Sequence, residues 1–218
     1  MTVAQPREEP LTVILAHGDF PQRPAVQQYL YAAKRIICCD GAAADLLQFG
    51  LQPELVVGDL DSLPAALSEK LSGRLVRISE QQSNDLSKAL RYCLAQGWTN
   101  LLILGATGKR EDHTLGNISL LADFCRQAPE LKIISDYGLF LAVQEPCTIP
   151  CQTGQQVSIF SLHPDTAITS TGLRYPLQEM RLTRWWQATL NEACGNTFTL
   201  SFSGPGPLLL FLASPETP

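Results

Sequence analysis

The stretch Leu55-Val56-Val57-Gly58-Asp59-Leu60-Asp61-Ser62 joins a short apolar run to two aspartates that stand one residue apart. The apolar residues predict a buried strand, and the acids lie in the loop that follows it. Two carboxylates at one strand end repel each other unless a cation lies between them. Oxygen ligands of this kind suit Mg²⁺ on the phosphates of a substrate, whereas an isolated Asp-x-Asp is more often a solvated turn.

Up to about Asp136, the chain alternates such apolar runs with helical patterns. The pattern predicts strands over 12–16, 35–39, 55–57, 74–78, 101–104 and 131–135, and helices over 24–33, 42–49, 84–96 and 112–125. Near-continuous apolar strands separated by helices are typical of a parallel sheet covered on both faces. We therefore predict a three-layer α/β domain over residues 1–137.

The last third of the chain has a different pattern. Short runs at 156–160, 167–169 and 208–212 are separated by turns, and residues 197–202 alternate strictly between polar and apolar. Strict alternation indicates a strand that is buried on one face. We predict a small antiparallel β-sandwich domain over residues 138–218, so that the fold class is α/β followed by all-β.

The composition excludes several classes of partner. A formal net charge of −5 lacks the basic stripe expected of a nucleic-acid-binding protein. The apolar runs are too short for a membrane span, and residues 1–10 lack the apolar centre of a signal peptide. We therefore expect a cytoplasmic protein. Its seven cysteines form no Cys-x-x-Cys pair, which favours reduced thiols over a zinc site.

Polar residues follow four of the predicted strands of the first domain. In chain order these are Asp40 with Gly41, Asp59 with Asp61, Asn84 with Asp85, and the run Gly105-Ala106-Thr107-Gly108-Lys109-Arg110-Glu111-Asp112. Ligands of parallel sheets bind beyond the carboxyl ends of the strands, where these residues would meet. Many acids with few bases predict a polyphosphate bound together with a divalent metal.

The glycine run supplies groups for the phosphates. Gly105 and Gly108 let backbone amides approach an anion, and Arg110 can clamp phosphate oxygens with two hydrogen bonds. His113 and Asn117 follow Arg110 at helical spacing, although a histidine that caps or packs near the helix end is an equal alternative for His113.

Two polar residues around the third predicted helix have structural alternatives. Asn84 is a natural N-cap for that helix. For Lys88, a pair with Asp85 or a phosphate contact is possible, but a solvated surface position is the stronger interpretation of this residue alone.

Four motifs in a fixed order carry a resemblance to a known family. They are Asp40-Gly41-Ala42-Ala43, Gly58-Asp59-Leu60-Asp61-Ser62, Ser83-Asn84-Asp85-Leu86-Ser87-Lys88-Ala89-Leu90 and Leu104-Gly105-Ala106-Thr107-Gly108-Lys109-Arg110-Glu111-Asp112-His113-Thr114-Leu115-Gly116-Asn117. Together they resemble the thiamine pyrophosphokinases. The likeness continues through Gln156-Val157-Ser158-Ile159, Gly172-Leu173-Arg174-Tyr175-Pro176-Leu177 and Thr189-Leu190-Asn191-Glu192.

The resemblance implies a Mg²⁺-dependent transfer of the diphosphate of ATP to thiamine, in a homodimer that holds thiamine near the subunit interface. It puts Asp40, Asp59, Asp61, Asp85 and Asp112 around Mg²⁺ and the ATP phosphates. Of the residues in catalysis, which are Asp59, Asp61, Asp85, Arg110 and Asp112, we expect the first three to hold the metal and Arg110 to offset developing charge. A larger set is implied around the nucleotide and its phosphates: Asp40, Gly41, Asn84, Lys88, Gly105, Thr107, Gly108, Arg110, Asp112, His113 and Asn117. On the thiamine side it implies Gln81, Tyr175, Thr189 and Asn191.

The chain departs from the family pattern at three positions. Asn84 stands where threonine is common, Gln82 where an acid is common, and Leu190 where a serine is common. These departures bear mainly on the thiamine side.

Two rival functions stay open at this stage. One is a diphosphotransferase that acts on another hydroxymethyl heterocycle, such as a pterin, and the other is a non-catalytic sensor of thiamine or nucleotide. The C-terminal motifs argue against the first rival, and the full set of retained acids argues against the second.

Overall fold

The computed structural model describes residues 9–61 and 63–214. Residues 1–8, on which the expected lack of a signal peptide largely depends, and Ser62 of the first acidic motif lie outside the described residues. Within the described part, no helix has both the length and the apolar character needed to cross a membrane. The chain divides into two compact units, Met1–Arg110 and Glu111–Pro218. The sequence-based boundary at residues 137 and 138 stays a prediction.

The first unit contains a parallel sheet and its helices. The strands are β1 (Thr12–Leu15), β2 (Arg35–Cys39), β3 (Leu55–Gly58), β4 (Leu75–Arg77) and β5 (Leu101–Leu104), and the helices are α1 (Pro24–Ala32), α2 (Ala42–Gln48), α3 (Ala65–Lys70) and α4 (Asp85–Ala95). The strand order is β5-β1-β2-β3-β4, with all four pairings parallel. The predicted parallel arrangement of these strands is confirmed.

Burial in the first unit follows the sequence pattern. All four residues of β1 and of β5 are buried, as expected of central parallel strands. The edge strand β4 is only partly buried. Helix α4 contacts β1, β2 and β3. It begins after Asn84, whose side-chain oxygen accepts a hydrogen bond from the Ser87 amide at 2.9 Å, so the predicted N-cap is confirmed.

The second unit begins with one helix and continues as strands. They are α5 (Glu111–Phe124), β6 (Lys132–Ser135), β7 (Gly138–Val143), β8 (Cys147–Pro150), β9 (Gln156–Ser161), β10 (Ala167–Thr171), β11 (Met180–Arg181), β12 (Asn191–Glu192), β13 (Thr197–Ser203) and β14 (Leu208–Ala213). One sheet has the order β12-β9-β14-β7-β6 and the other β11-β10-β13-β8, with antiparallel pairings throughout both.

The two antiparallel sheets of the second unit share one apolar core. Phe198 and Leu200 from one sheet and Val157, Ile159 and Leu210 from the other belong to the same buried cluster. Helix α5 contacts β7 and β14. The predicted antiparallel β domain is confirmed, and a sandwich describes its core.

Some elements differ from the sequence-based predictions. Strand β6 was predicted as the last of the parallel series; within its own unit it pairs antiparallel with β7, and its place in that series stays a prediction. Helix α3 and strands β7 and β8 were not predicted, although residues 139–143 of β7 form an apolar run. Helix α3 has no buried residue, so it lacks the apolar stripe from which a helix can be recognised.

Candidate active site

A buried lysine lies at the centre of the predicted acidic edge. Lys88 on α4 is 2% exposed, and its Nζ lies 3.1 Å from Asp85 Oδ1 and 3.7 Å from Asp59 Oδ2. A lysine is rarely buried to this extent unless it is paired. The solvated-surface interpretation of Lys88 is therefore wrong, and the predicted pair with Asp85 is confirmed.

Burial and pairing act in opposite directions on the pKa values of this cluster. Burial raises the pKa of the Asp85 carboxyl group, and the negative charges of Asp59 and Asp40 raise it further. The hydrogen bond and positive charge of Lys88 lower this pKa but do not outweigh the burial. Burial pulls the pKa of Lys88 down, but the hydrogen bond and charge of Asp85, with the charge of Asp59, outweigh it, so the pKa is raised. Lys88 is thus held in its charged form between two carboxylates.

Gly58 lets Asp40 and Asp85 come close to the end of β3. A Cβ built on Gly58 would stand 3.2 Å from Asp40 Cβ and 3.3 Å from Asp85 Oδ1, tighter than most real contacts. Asp40 itself has a φ of 39°, in the left-handed region, and is 4% exposed. The ends of β2 and β3 and the start of α4 therefore bring together Asp40, Asp59, Asp85 and Lys88.

Asp61 points elsewhere. Its Oδ1 accepts a hydrogen bond from Arg77 at 3.1 Å, and both side chains are about two thirds exposed. Its backbone amide donates to Asp59 Oδ1 at 3.2 Å, which is the largest cause of the lowered pKa of Asp59. Gln81 Nε2 lies 3.4 Å from Asp59 Oδ2.

Among the described residues, no three His, Cys, Asp or Glu side chains are arranged to hold a metal ion. The three-aspartate ligand set stays a prediction.

The glycine loop follows β5 in the first unit. Gly105 and Gly108 have φ values of 65° and 81°, which favour glycine. The loop is hydrogen-bonded to the loop after β1: the Gly18 amide donates to the Gly105 carbonyl at 2.7 Å, and the Asp19 amide to the Thr107 carbonyl at 2.8 Å. A Cβ on Gly108 would overlap the Asp19 carboxylate, at 1.9 Å from Oδ2.

Sequence reasoning missed the loop after β1, which contains His17, Gly18 and Asp19. The His17 ring packs on Gly41, since a Cβ there would lie 2.5 Å from His17 Cε1. The signal was available, because these residues follow β1 in the same way that Asp40 follows β2. Unlike the loop after β3, they contain no pair of acids.

The residues predicted on α5 belong to the second unit. Asp112 and His113 are exposed, and the His113 amide donates to Asp112 Oδ1 at 2.9 Å. Asn117 is 8% exposed. His113 and Asn117 are four residues apart in α5 and share a face as their spacing predicted, but Asn117 is buried and His113 is exposed.

Of the predicted thiamine-side residues, Gln81 lies in the first unit, and Tyr175, Thr189 and Asn191 lie in the second. The Asn191 side chain is buried and bonds the Tyr175 backbone on both sides, accepting from the amide at 3.1 Å and donating to the carbonyl at 2.7 Å. Asn191 thus fixes the backbone of Tyr175, whose ring is 61% exposed. Thr189 Oγ1 donates to the Trp186 carbonyl at 2.9 Å.

Exposed apolar side chains surround this segment of the chain. Leu190 is 72% exposed with a φ of 55°, and Trp186 is 73% exposed. The rings of Trp185 and Phe160 pack edge to face, with their centroids 6.4 Å apart. Packing within the sandwich therefore explains part of the position of Trp185, but it does not explain the exposed position of Trp186.

Comparisons with known proteins match both parts of the chain. Residues 26–134 match the family described as thiamin pyrophosphokinase, catalytic domain, and residues 138–211 match thiamin pyrophosphokinase, substrate-binding domain. Thiamine pyrophosphokinase of Bacillus subtilis is 26% identical over 199 residues, covering 87% of this chain and 92% of the relative. Thiamin pyrophosphokinase 1 of Caenorhabditis elegans is 27% identical, covering 69% of this chain and 67% of the relative.

Solved structures share the fold. The crystal structure of thiamine pyrophosphokinase from Bacillus subtilis superposes with a TM-score of 0.77 at 23% identity, covering 94% of this chain and 99% of the other. Thiamin pyrophosphokinase from Candida albicans gives a TM-score of 0.74 at 18% identity, covering 98% and 95%. At these identities the likeness concerns the fold alone.

Proposed function

The chain belongs to the thiamin pyrophosphokinase family, and we propose that it transfers the diphosphate of ATP to the hydroxyl group of thiamine and releases AMP. ATP-dependent diphosphorylation of thiamine is the known activity of this family, which makes the chain a transferase. The single observation in the structure that best supports the reaction is the buried ammonium group of Lys88 between Asp59 and Asp85. It is a fixed, charged centre at the sheet edge where parallel sheets bind ligands.

The reaction forms one bond and breaks one. The thiamine hydroxyl oxygen attacks the β-phosphorus of ATP. The bond from that phosphorus to the oxygen that bridges it to the α-phosphorus breaks, and this oxygen leaves with AMP. The hydroxyl proton is lost to a base or to solvent. In such transfers, catalysis consists mainly of positioning and of neutralising phosphate charge.

The donor set at the acidic edge fits Mg²⁺. Asp59, Asp61 and Asp85 offer the carboxylate oxygens that this ion prefers, and the shared Lys88 indicates that Asp59 and Asp85 already need a cation between them. Asp61 would have to leave Arg77, at little cost because an exposed ion pair contributes about 0–1 kcal/mol. Held by these residues, the ion would offset the negative charge of the phosphates.

The remaining predicted residues divide between the two substrates. On the nucleotide side we assign Asp40, Gly41, Asn84, Gly105, Thr107, Gly108, Arg110, Asp112, His113 and Asn117, with Lys88 on the phosphates. Gln81, Tyr175, Thr189 and Asn191 are assigned to thiamine. Asn191 would act through Tyr175, because its amide group is bonded to the Tyr175 backbone.

We further propose a cytoplasmic homodimer that binds thiamine near the subunit interface. The exposed side chains of Trp186 and Leu190 support an interface, since large apolar side chains rarely stay this exposed in a cluster without a partner. A monomeric mass in light scattering at the assay concentration would contradict the dimer.

The pterin and sensor alternatives are not favoured. The substrate-binding domain of the thiamin family matches residues 138–211, which a pterin-specific enzyme has no reason to share. Loss of acids would mark a non-catalytic sensor, whereas this chain retains Asp40, Asp59, Asp61, Asp85 and Asp112.

A product assay tests the proposal. The purified chain is incubated with thiamine, ATP and Mg²⁺, and the products are separated. Equal amounts of thiamine diphosphate and AMP, formed only with Mg²⁺, are expected. Formation of ADP and thiamine monophosphate would replace diphosphate transfer with transfer of a single phosphoryl group, and a lack of product would contradict the proposal.

A further inference from the structure

Three side chains that the proposed reaction does not use meet at the other end of the same sheet edge. Asp45 on α2 lies 3.9 Å from His17 Nε2 and 3.7 Å from Lys109 Nζ, measured from its Oδ2. His17 follows β1, and Lys109 ends the glycine loop after β5. All three belong to the first unit, and we call them the His17–Asp45–Lys109 cluster.

The strand order puts this cluster at the reversal point of the sheet. The chain runs outward from β1 through β2 and β3 to β4, and β5 then pairs on the opposite side of β1. In open parallel sheets, ligands bind outside the carboxyl ends of the strands at the place where the order reverses. That place lies between the ends of β1 and β5, from which His17 and Lys109 extend.

The cluster is continuous with the acidic centre. The His17 ring packs on Gly41, and Gly41 directly follows Asp40. Asp40 in turn packs with Asp85 around Gly58. One row of contacts therefore crosses the edge from Lys88 to Lys109. Carboxylates dominate at the Lys88 end, and the side chains of His17 and Lys109 supply nitrogens at the other end.

The contacts within the cluster are loose. The two separations from Asp45 exceed hydrogen-bond length, and the side chains of His17 and Lys109 are 50% and 46% exposed. Ion pairs of this kind contribute little to stability. A phosphate group, which carries more charge and offers more oxygens, would compete well with one carboxylate for both nitrogens.

We propose that His17 and Lys109 hold the α-phosphate of the nucleotide, and that Asp45 retains both side chains when the nucleotide is absent. This inference rests on the proposed function and names the part of ATP that the cluster recognises. When the bond to the β-phosphorus breaks, the α-phosphate gains negative charge, and a cation at that phosphate stabilises AMP as the leaving group.

Binding of two probes to the full chain tests the assignment. AMP and Mg²⁺-diphosphate are titrated separately by calorimetry without thiamine. Lys109→Gln is expected to weaken AMP binding by about tenfold, the loss of one charge-assisted hydrogen bond, and to leave diphosphate binding unchanged. Asp45→Asn is expected to act in the opposite direction and tighten AMP binding, because it removes the competing carboxylate.

Lys34→Gln is the matched control. Lys34 is exposed and directly precedes β2, at the amino edge of the same sheet. The variant therefore removes the same charge as Lys109→Gln, but at the edge opposite the proposed site. Opposite changes for Lys109→Gln and Asp45→Asn, with none for Lys34→Gln, would support the assignment. Unchanged AMP binding in Lys109→Gln, or equal weakening of both probes, would overturn it.

The same preparations separate this inference from the proposed function. If the wild-type chain binds AMP with the expected variant pattern but forms no thiamine diphosphate, the proposed function fails and the phosphate assignment stands. If thiamine diphosphate forms but the variants bind AMP as the wild type does, the assignment alone fails.

Discussion

The two compact units use the same kinds of apolar residue in different ways. In Met1–Arg110, the central strands are buried along their whole length, as in the four residues of β1. In Glu111–Pro218, strands such as β13 alternate between buried and exposed positions. A strand buried on both faces has room for polar chemistry only at its ends, whereas an alternating strand also exposes side chains along its length.

This difference separates two kinds of site. The first unit collects charge at the strand ends, where Lys88 is buried between Asp59 and Asp85. The second unit presents exposed apolar and aromatic side chains on its connections, including Tyr175 and Trp186. A fixed charged centre suits phosphate transfer, and an exposed aromatic ring suits stacking on a flat heterocycle.

Removal of charge at the end of β3 should have the largest effect on turnover. Asp59→Asn is expected to lower kcat by about 10³-fold or more, the usual cost of losing a group that stabilises charge in the transition state. Glu54→Gln, at the exposed amino end of the same strand, should leave kcat unchanged. Steady-state assays of both variants measure the contrast. Comparable kcat values for Asp59→Asn and the wild type would contradict a charged centre at this edge.

Stability of the second unit should depend on the sandwich core rather than on its exposed residues. Phe198 is 1% exposed and packs in the shared cluster, so Phe198→Ala should lower the free energy of unfolding by about 3–5 kcal/mol. Leu115→Ala, at a 53% exposed position on α5, should change it by less than about 0.5 kcal/mol. Urea denaturation of the two variants provides the measurement, and equal losses would show that the cluster does not dominate stability.

The exposed aromatic surface should matter for thiamine rather than for ATP. Tyr175→Ala is expected to raise KM for thiamine by about tenfold, the contribution of one aromatic stacking contact, with KM for ATP unchanged. Tyr137→Ala is a suitable control, because Tyr137 is 65% exposed against 61% for Tyr175. A rise in both KM values, or in neither, would remove Tyr175 from the thiamine site.

The thiols should show the smallest effect, a difference in labelling rate. Burial raises the pKa of Cys93 to about 12 and that of Cys39 well above its ordinary value, whereas Cys194 is exposed. Since the thiolate is the reactive form, a disulfide reagent at pH 8 should label Cys194 rapidly and leave Cys39 and Cys93 unmodified until the chain unfolds. Cys194→Ser should remove the fast phase. Rapid labelling of Cys39 in the native protein would contradict the buried sheet.

Much of the fold could be predicted because the sequence pattern is local. Strands β1, β2, β3 and β5 appear as apolar runs, and the strict alternation of residues 197–202 identifies β13. Helix α3 and strand β8 could not be predicted in this way. No residue of α3 is buried, and β8 is largely exposed, so neither carries a clear apolar period.

The candidate site could be predicted in part for the same reason. Asp40, Asp59 and Asp85 were found because parallel strands end at one edge, so residues that follow the strands gather there. The place of His17 at this edge was missed, since its position on Gly41 and beside Asp45 depends on how the loop after β1 folds. No local pattern encodes that loop.

The sequence by itself determined the order of strands and helices, the change from parallel to antiparallel pattern, and the acids at the strand ends. These features follow from periodicity and chain direction, which neighbouring residues carry. Only the tertiary structure decided that Lys88 is buried between two carboxylates, that Asp61 turns to Arg77, and that β6 pairs with β7. Each of those outcomes depends on burial, and on which residue from another element is near enough to compete for a charge or a backbone hydrogen bond.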